Sequence, residues 1–310
     1  MSISIANPAD SALFAPTFGT LGSLLGTLLG VLLVVERRHL RELSHRTLFQ
    51  RWLTWLVLGP LYALAILGGK ATALLLIGAF VFQGLREYAR LVGLPRLSSG
   101  VLLTMGLGAV PVALVSREAF LGLPPPLLLI GTLQPLLTQD VRAGWRHLAL
   151  AALGFGYLPW MLGHFLLMYT YRDYGPAILL ALGPAVALSD VGAFTVGRLF
   201  GRRKLAPILS PNKTWAGVAG NVLGAYAGLG IMHFALPGEQ RGLLLATLPL
   251  VVAVGAVWGD LLESLIKREY GTKDAGTWLP GFGGLQDRID SLIIVVPLAY
   301  YYVRLVMEGL

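Results

Sequence analysis

The sequence predicts an all-α protein, a polytopic membrane helix bundle of about ten transmembrane helices. We expect its functional polar side chains to cluster on the cytoplasmic side of the C-terminal half. Two observations support this fold class. Of the 310 residues, 55% are hydrophobic and 13% are charged, with a mean hydropathy of +0.71, whereas soluble domains carry about 25% charged residues. The apolar residues also fall into runs, most of which are long enough to cross a bilayer.

Ten apolar runs alternate with short polar segments. They cover residues 16–35, 52–68, 71–85, 98–115, 120–138, 148–169, 175–196, 214–236, 242–262 and 289–307. The first run is interpreted as a retained span, because no basic segment precedes it as in a secretory signal. Pro124-Pro125-Pro126 interrupts the start of the fifth run. We expect one integrated membrane domain, with N-terminal transmembrane helices in residues 1–180 and the functional region in residues 181–310.

Lys and Arg residues concentrate in every second loop. This set of loops comprises residues 36–51, 86–97, 139–147, 197–213 and 263–288. It holds 19 of the 24 basic residues, and such enrichment is typical of the cytoplasmic side of a membrane protein. The net charge of +8 therefore reflects topology, and no nucleic-acid partner is expected. The absence of cysteine excludes disulfides and thiolate metal sites.

Two sets of glycines recur at every fourth position, which gives a helix face bare enough for close backbone approach. The sets are Gly22, Gly26 and Gly30, and Gly220, Gly224 and Gly228. The second set is interpreted as a packing face inside the bundle. For the first set, packing inside the bundle and dimerisation are both open.

Ionisable residues inside membrane spans require a specific reason, and here they concentrate in three segments of the last third of the chain. The first segment, Ser189-Asp190, lies in the seventh run, about two helical turns before a basic loop. Asp190 has two interpretations. It is a buried carboxylate paired with a cation from a neighbouring helix, or it is a metal ligand or the side chain that orients one.

The second segment, Ser210-Pro211-Asn212-Lys213-Thr214, stands immediately before the eighth run. If a helix begins here, its free N–H groups together with the lysine would form an anion site. The spacing of a P-loop is absent. The alternative is a basic loop that contacts anionic headgroups, which suffices for the upstream arginines.

The third segment begins near the end of the ninth run, where Asp260, Glu263, Ser264 and Lys267 occupy positions i, i+3, i+4 and i+7. This spacing places two carboxylates, a hydroxyl and an ammonium on one face of a helix. Magnesium binds through one or two carboxylates together with substrate phosphates. Nearby cations stabilise the charge that develops during phosphoryl transfer. The face therefore predicts magnesium-assisted chemistry on a phosphate compound.

The same segment continues at the start of the tenth run, where Asp287, Asp290 and Ser291 repeat the arrangement. Gly283 and Gly284 precede them and would let the backbone approach a ligand closely. For any one of these residues, a solvated salt-bridge network is the alternative. It is disfavoured for the whole set, because half of the set lies at membrane depth.

Three motifs in residues 185–292 carry a family resemblance. The upstream motifs are Ser189-Asp190-x-Gly192-Ala193 and Lys204-Leu-x-Pro207-x-x-Ser210-Pro-x-Lys213-Thr214-Trp215-x-Gly217. The C-terminal motif comprises Ser264-x-x-Lys267-Arg268, Lys273-Asp274-x-Gly276, Pro280-Gly281, Gly283-Gly284 and Asp287-Arg288-x-Asp290. In this order they resemble the signature of the phosphatidate cytidylyltransferases, also called CDP-diacylglycerol synthases. The first 180 residues show only the hydrophobic pattern and one polar triplet, Arg86-Glu87-Tyr88, that has no assignment.

The resemblance implies a membrane enzyme, usually a homodimer, that condenses CTP with phosphatidic acid to CDP-diacylglycerol and pyrophosphate. It implies Mg²⁺ as cofactor, with or without a second, monovalent cation, and a place in a bacterial-type cytoplasmic membrane with the site facing the cytoplasm. The implied metal ligands are Asp260, Asp287 and Asp190. The implied catalytic residues are Asp260, Asp287, Lys267, Arg268 and Lys213. The implied substrate-binding residues are Ser210, Asn212, Lys213, Thr214, Ser264, Lys273, Asp274, Gly283, Gly284, Arg288 and Asp290.

One position departs from the family motif, because Phe282 stands where the family has a histidine. Phenylalanine neither donates a proton nor ligates a metal, so a charge-assisted contact of about 1–3 kcal/mol would be lost. The same chemistry on another lipid or polyprenyl phosphate is therefore an alternative. A non-catalytic transporter or scaffold is a second one. It is disfavoured because the carboxylates cluster with basic residues rather than at the midplane of two repeats.

Overall fold

The computed structural model describes residues 4–37, 47–139, 141–272, 276 and 283–309, and these are predominantly helical. The helices are α1 (Phe14–Val35), α2 (Thr47–Leu67), α3 (Lys70–Leu91), α4 (Arg96–Val115), α5 (Arg117–Leu121), α6 (Pro124–Thr138), α7 (Val141–Phe155), α8 (Met161–Tyr169), α9 (Gly175–Phe200), α10 (Trp215–Ile231), α11 (Arg241–Glu269) and α12 (Gln286–Glu308). A π-helical turn, Gly156–Trp160, joins α7 to α8. The predicted helical architecture is confirmed.

Membrane-length helices account for much of the described chain, in which six segments are long and apolar enough to cross a bilayer. They are Phe14–Val34, Arg96–Val115, Val141–Tyr169, Gly175–Phe200, Arg241–Glu269 and Gln286–Glu308. Two shorter apolar helices, Trp52–Leu67 and Pro124–Leu133, accompany them. The chain is thus a helical membrane protein, and the count of ten spans stays a prediction.

The run over residues 120–138 is divided, as its three prolines suggested. Helix α5 ends at Leu121 and α6 begins at Pro124. Proline fits the first turn of a helix, because the N–H group that it lacks has no partner there.

Helices α9 and α10 lie in direct backbone contact. A Cβ atom at Gly224 would collide with the carbonyl oxygen of Leu188, and one at Gly228 would collide with that of Pro184. Gly220 meets the α9 backbone in the same way. This glycine face therefore packs inside the bundle, which confirms its interpretation from the sequence.

The close α9–α10 contact predicts the effect of one added methyl group. Gly224→Ala should destabilise the protein by about 1–3 kcal/mol, because the backbone carbonyl that it meets cannot move aside. Gly230→Ala is the matched control, since no described atom lies within 4 Å of a Cβ atom at that position of the same helix. Thermal unfolding in detergent measures both. Equal midpoints for the two variants would contradict the contact.

The glycine face of α1 is open to its surroundings. No described atom lies within 4 Å of a Cβ atom built at Gly22, Gly26 or Gly30. Helix α1 is held from another side, where the Trp52 indole N–H donates to the Leu25 carbonyl at 2.9 Å. Within the described residues this face does not pack inside the bundle, and its role in dimerisation stays a prediction.

A small antiparallel hairpin interrupts the helical architecture between α9 and α10, where the sequence predicted only a polar loop. It consists of β1 (Lys204–Ala206) and β2 (Ser210–Thr214), with Lys204 opposite Thr214. Prolines on both sides of the turn oppose a helix, so the backbone groups satisfy their hydrogen bonds by pairing with each other. The hairpin fixes the direction in which β2 enters α10.

Helices α11 and α12 also approach closely. A Cβ atom at Gly255 would lie 2.9 Å from the Val295 Cα atom, and one at Gly259 would collide with the Asp290 carbonyl oxygen. The missing side chains on α11 therefore bring the start of α12 against the carboxylate-bearing end of α11.

Candidate active site

Side chains from α9, α11, α12 and β2 meet around the first turns of α12. Ion pairs and hydrogen bonds join them, with α11 linked to α12 through Lys267, α9 to α12 through Ser291, and β2 to α11 through Lys213. The links through Ser291 and Lys213 join residues that the sequence placed in separate polar segments. The structure therefore brings those segments into one cluster.

Lys267 lies at the centre of this cluster. Its ammonium donates to Glu263 Oε2 and to Asp287 Oδ1, both at 2.7 Å. The two carboxylate residues are buried, with exposed fractions of 1% for Glu263 and 6% for Asp287. The Glu263–Lys267 pair confirms the shared α11 face. Because both acids are removed from solvent, water cannot stabilise their negative charge, and the Lys267 ammonium compensates for it instead.

Asp287 is held on its second oxygen as well. The N–H of Gly284 donates to Asp287 Oδ2 at 2.8 Å. Gly283, immediately before, has a φ of +85°, a conformation that glycine adopts without strain. The predicted glycine turn thus orients the Asp287 carboxylate by its backbone.

Lys213 forms an ion pair with Asp260, so the end of the hairpin docks on α11. The two side chains are partly exposed, at 21% and 41%. The pair places an ammonium next to a partly exposed carboxylate, where a phosphate group could exchange with either partner.

Asp190 accepts a hydrogen bond from Ser291 Oγ at 3.2 Å. It also lies within electrostatic range of Asp260, and Asp290 lies within range of Asp190, Asp260 and Glu263. Asp190, which is exposed on α9, is therefore part of the carboxylate cluster rather than an isolated buried acid. Acids on three neighbouring helices repel one another, so the cluster favours a bound cation.

Thr214 begins α10, as the sequence predicted. Its hydroxyl accepts the Gly217 N–H at 3.1 Å, and the side chain is buried. This is the geometry of an N-cap residue. Ser210 and Asn212 lie on β2, half-buried and exposed respectively. Thr214 thus serves the helix start, while Asn212 remains accessible beside Lys213.

The remaining predicted site residues differ in placement. Ser264 lies half-buried on α11, and Arg288 is exposed on α12. Arg268 donates to the Thr272 carbonyl at 3.2 Å, toward the end of α11. Lys273, Asp274 and the family departure Phe282 lie outside the described residues.

Two acids at the site are absent from the residues that the family resemblance implied. Glu263 has the i, i+4 relation to Lys267, which was a usable signal, and its Oε1 is buried with no hydrogen-bond partner among the described residues. Glu87, from the unassigned triplet, bonds to the start of α12. No sequence signal connects Glu87 to a helix about 200 residues away.

The donor set fits a hard divalent cation. Asp190, Asp260 and Asp287 offer carboxylate oxygens, the ligands that magnesium prefers. No three acidic or histidine side chains among the described residues are arranged as a ready ligand group. Instead Lys213 and Lys267 contact the acids. A magnesium site here would therefore be completed by substrate phosphates, as is usual for this ion.

The fold and the site together define a helical membrane enzyme of phosphate-group chemistry. The family model described as "Cytidylyltransferase family" matches residues 49–306. This match covers most of the 310 residues, so the chain belongs to the cytidylyltransferase family and is a CTP-dependent nucleotidyltransferase.

Curated relatives carry a more specific name. A phosphatidate cytidylyltransferase of Pseudomonas aeruginosa is 37% identical over 261 residues, which cover 80% of this chain and 94% of that protein. One from Haemophilus influenzae is 42% identical over 139 residues, 43% of this chain and 48% of the relative. One from Staphylococcus haemolyticus is 38% identical over 134 residues, 43% of this chain and 52% of the relative. The similarity thus extends well beyond the C-terminal motif.

Proposed function

We propose that this protein is a phosphatidate cytidylyltransferase, which condenses CTP with phosphatidate to CDP-diacylglycerol and pyrophosphate. The observation that carries the proposal is the Lys267 bridge between Glu263 and Asp287, set beside the Lys213–Asp260 pair. It combines carboxylates for a cation with ammonium groups for phosphates. The similarity to the P. aeruginosa phosphatidate cytidylyltransferase, which extends over 94% of that protein, supports the same assignment of substrates.

The transfer is an in-line displacement. An oxygen of the lipid phosphate forms a bond to the α-phosphorus of CTP, and the bond from that phosphorus to the oxygen bridging to the β-phosphate breaks. Pyrophosphate leaves with the electron pair. The attacking phosphate is already anionic at neutral pH, so the site needs no strong general base. Lys213 and Lys267 would hold phosphate oxygens in place and offset their charge.

Asp260, Asp287 and Asp190 would hold Mg²⁺, with or without a second, monovalent cation. When bound, the metal supplies positive charge to the CTP phosphates and to the leaving pyrophosphate. Asp287 is pre-oriented for this role by the Gly284 N–H. Lys267 contacts the other oxygen of the same carboxylate at 2.7 Å, which further limits how Asp287 can turn.

The acceptor is proposed to be a lipid because an apolar cavity borders the site. The cavity, of about 180 Å³, lies between α1, α2, α9 and α12 and is lined mainly by aliphatic side chains. Asp190 and Arg288 also line it. An acyl chain would occupy the apolar part, while Arg288 would contact the phosphate at its end.

The finer topology belongs to this proposal. Ten spans in a bacterial cytoplasmic membrane would place the 19 basic residues of the alternate loops on the cytoplasmic side. The site, which includes Lys213 and Lys267 from those loops, would then face the cytoplasm where CTP is available. A homodimer would cover the open glycine face of α1.

Pyrophosphate release by the purified protein in detergent tests the function. Release from CTP is expected only when phosphatidate and Mg²⁺ are both present. The acceptor panel should include a polyprenyl phosphate. Phe282 replaces the histidine of the family motif, and the sequence therefore allows a different acceptor. Turnover with that lipid alone would replace phosphatidate as acceptor, and no turnover with any lipid phosphate would support the transporter or scaffold alternative.

A further inference from the structure

Glu87 on α3 is a buried carboxylate whose two oxygens face the start of α12. Its exposed fraction is 3%. Oε1 accepts the Leu285 N–H at 3.0 Å, and Oε2 accepts the Gln286 N–H at 2.9 Å. The Gln83 side chain donates to Oε1 at 2.8 Å and holds the carboxylate from its own helix. An acid from the N-terminal half thus contacts the helix that carries Asp287.

The start of α12 depends on this distant carboxylate. Leu285 occupies the N-cap position and makes no side-chain cap hydrogen bond within the described chain. The first N–H groups of a helix have no partner inside the helix, and burial without partners is costly. A carboxylate at a helix N-terminus also interacts favourably with the helix dipole. Glu87 therefore supplies the cap that the local sequence lacks.

The glycines of the loop before α12 fit around the same carboxylate. A Cβ atom at Gly284 would lie 2.6 Å from Glu87 Oε2, and one at Gly276 would lie 3.0 Å from Oε1. A side chain at Gly284 would therefore have to displace the acid. The packing of Glu87 against this position thus explains the glycine at position 284 of the motif, without reference to a ligand.

Glu87 and Asp287 divide consecutive backbone donors between them. Asp287 Oδ2 accepts the Gly284 N–H, and Glu87 accepts those of Leu285 and Gln286. If the Glu87 bonds were lost, the first turn of α12 could move. Asp287 would then shift relative to Lys267, which it contacts at 2.7 Å.

We propose that Glu87 is a positioning residue for nucleotidyl transfer, which fixes Asp287 by capping α12 from the N-terminal half of the chain. This inference rests on the proposed function. It assigns a role to the Arg86-Glu87-Tyr88 triplet, and it makes the N-terminal helices part of the site's geometry rather than a membrane anchor alone.

Glu87→Gln, Glu87→Asp and the control Glu118→Gln test the proposal. Glu118 is an exposed acid on α5. Glutamine keeps one acceptor but turns an NH₂ group toward a backbone N–H, so the cap is half lost. We expect kcat to fall by about 10–100-fold, as for a misplacement on the order of 1 Å, with KM for CTP little changed. The Mg²⁺ concentration for half-maximal rate should rise. Glu87→Asp retains the charge and should recover part of kcat.

Amide hydrogen exchange gives a readout that does not require activity. In Glu87→Gln, exchange in residues 284–289 should accelerate by about tenfold, since the cap stabilises a local opening reaction, while other segments match the parent and Glu118→Gln. Parental kcat and exchange in Glu87→Gln would overturn the proposal. So would accelerated exchange throughout the protein with equal inactivation of Glu87→Asp, which indicates general unfolding. If the parent itself releases no pyrophosphate, the proposed function fails, and exchange still decides whether Glu87 holds α12.

Discussion

Asp287→Asn is expected to lower kcat by about 10³-fold or more, while protein yield and assembly in detergent stay at the parental level. Asparagine has the same shape, so it can still accept the Gly284 N–H, which lies 2.8 Å from the parental carboxylate. It loses the charge that pairs with Lys267 and that would hold a divalent cation. Losses of 10²–10³ follow removal of one charge-stabilising group from a site, and Asp287 contributes to two such interactions.

Steady-state pyrophosphate release measures this effect, with Asp173→Asn as the matched control. Asp173 is exposed in the turn before α9, so the same chemical change should leave kcat unaltered there. Near-parental turnover of Asp287→Asn would remove Asp287 from the proposed metal ligands. A parallel loss in the Asp173 variant would instead indicate a general effect of the substitution on the solubilised protein.

Lys267→Met is expected to be the most destabilising of the charge substitutions. It leaves Glu263 and Asp287 buried without their common cation, and breaking a buried ion pair in this way costs about 3–5 kcal/mol. The lysine side chain is 13% exposed and the two acids 2% and 4%, so solvent can replace little of the lost interaction. Activity should be lost as well. Thermal unfolding in detergent measures the stability change.

Two further variants separate burial from charge. Arg304→Met breaks the more exposed Arg304–Glu308 pair, which has the same i, i+4 spacing, and should cost no more than about 1 kcal/mol. The double variant Lys267→Met with Glu263→Gln should regain part of the stability, because one uncompensated acid is removed. If Lys267→Met is no less stable than Arg304→Met, the Lys267 bridge does not stabilise the fold.

The sequence predicted those parts of the site that follow from local geometry. Asp260, Glu263 and Lys267 share a face because helical periodicity alone requires it, and the Glu263–Lys267 contact shows this. Thr214 caps α10 because β-region residues with a hydroxyl favour that position. The buried glycine face of α10 was likewise readable from a repeat of four residues.

Contacts between distant segments could not be predicted from the sequence. The Lys213–Asp260 pair depends on the direction of the β1–β2 hairpin, which a single sequence with two prolines does not define. The Glu87 cap joins residues about 200 positions apart. Among many acids in loops and helix ends, the triplet around Glu87 carried no pattern that distinguished it. Such pairings are fixed by how the helices pack, not by local preference.

The site is divided between two helix pairs, each of which is closely packed through glycines. Asp190 travels with the α9–α10 pair, whose backbones touch, and Lys213 stands at the entrance to α10. Asp260 and Asp287 travel with the α11–α12 pair. A small rotation between the pairs would stretch the contacts that cross the boundary, while the bridge at Lys267 would keep its length. The distance between Asp190 and the acids of α11 and α12 therefore depends on how the two helix pairs pack against each other.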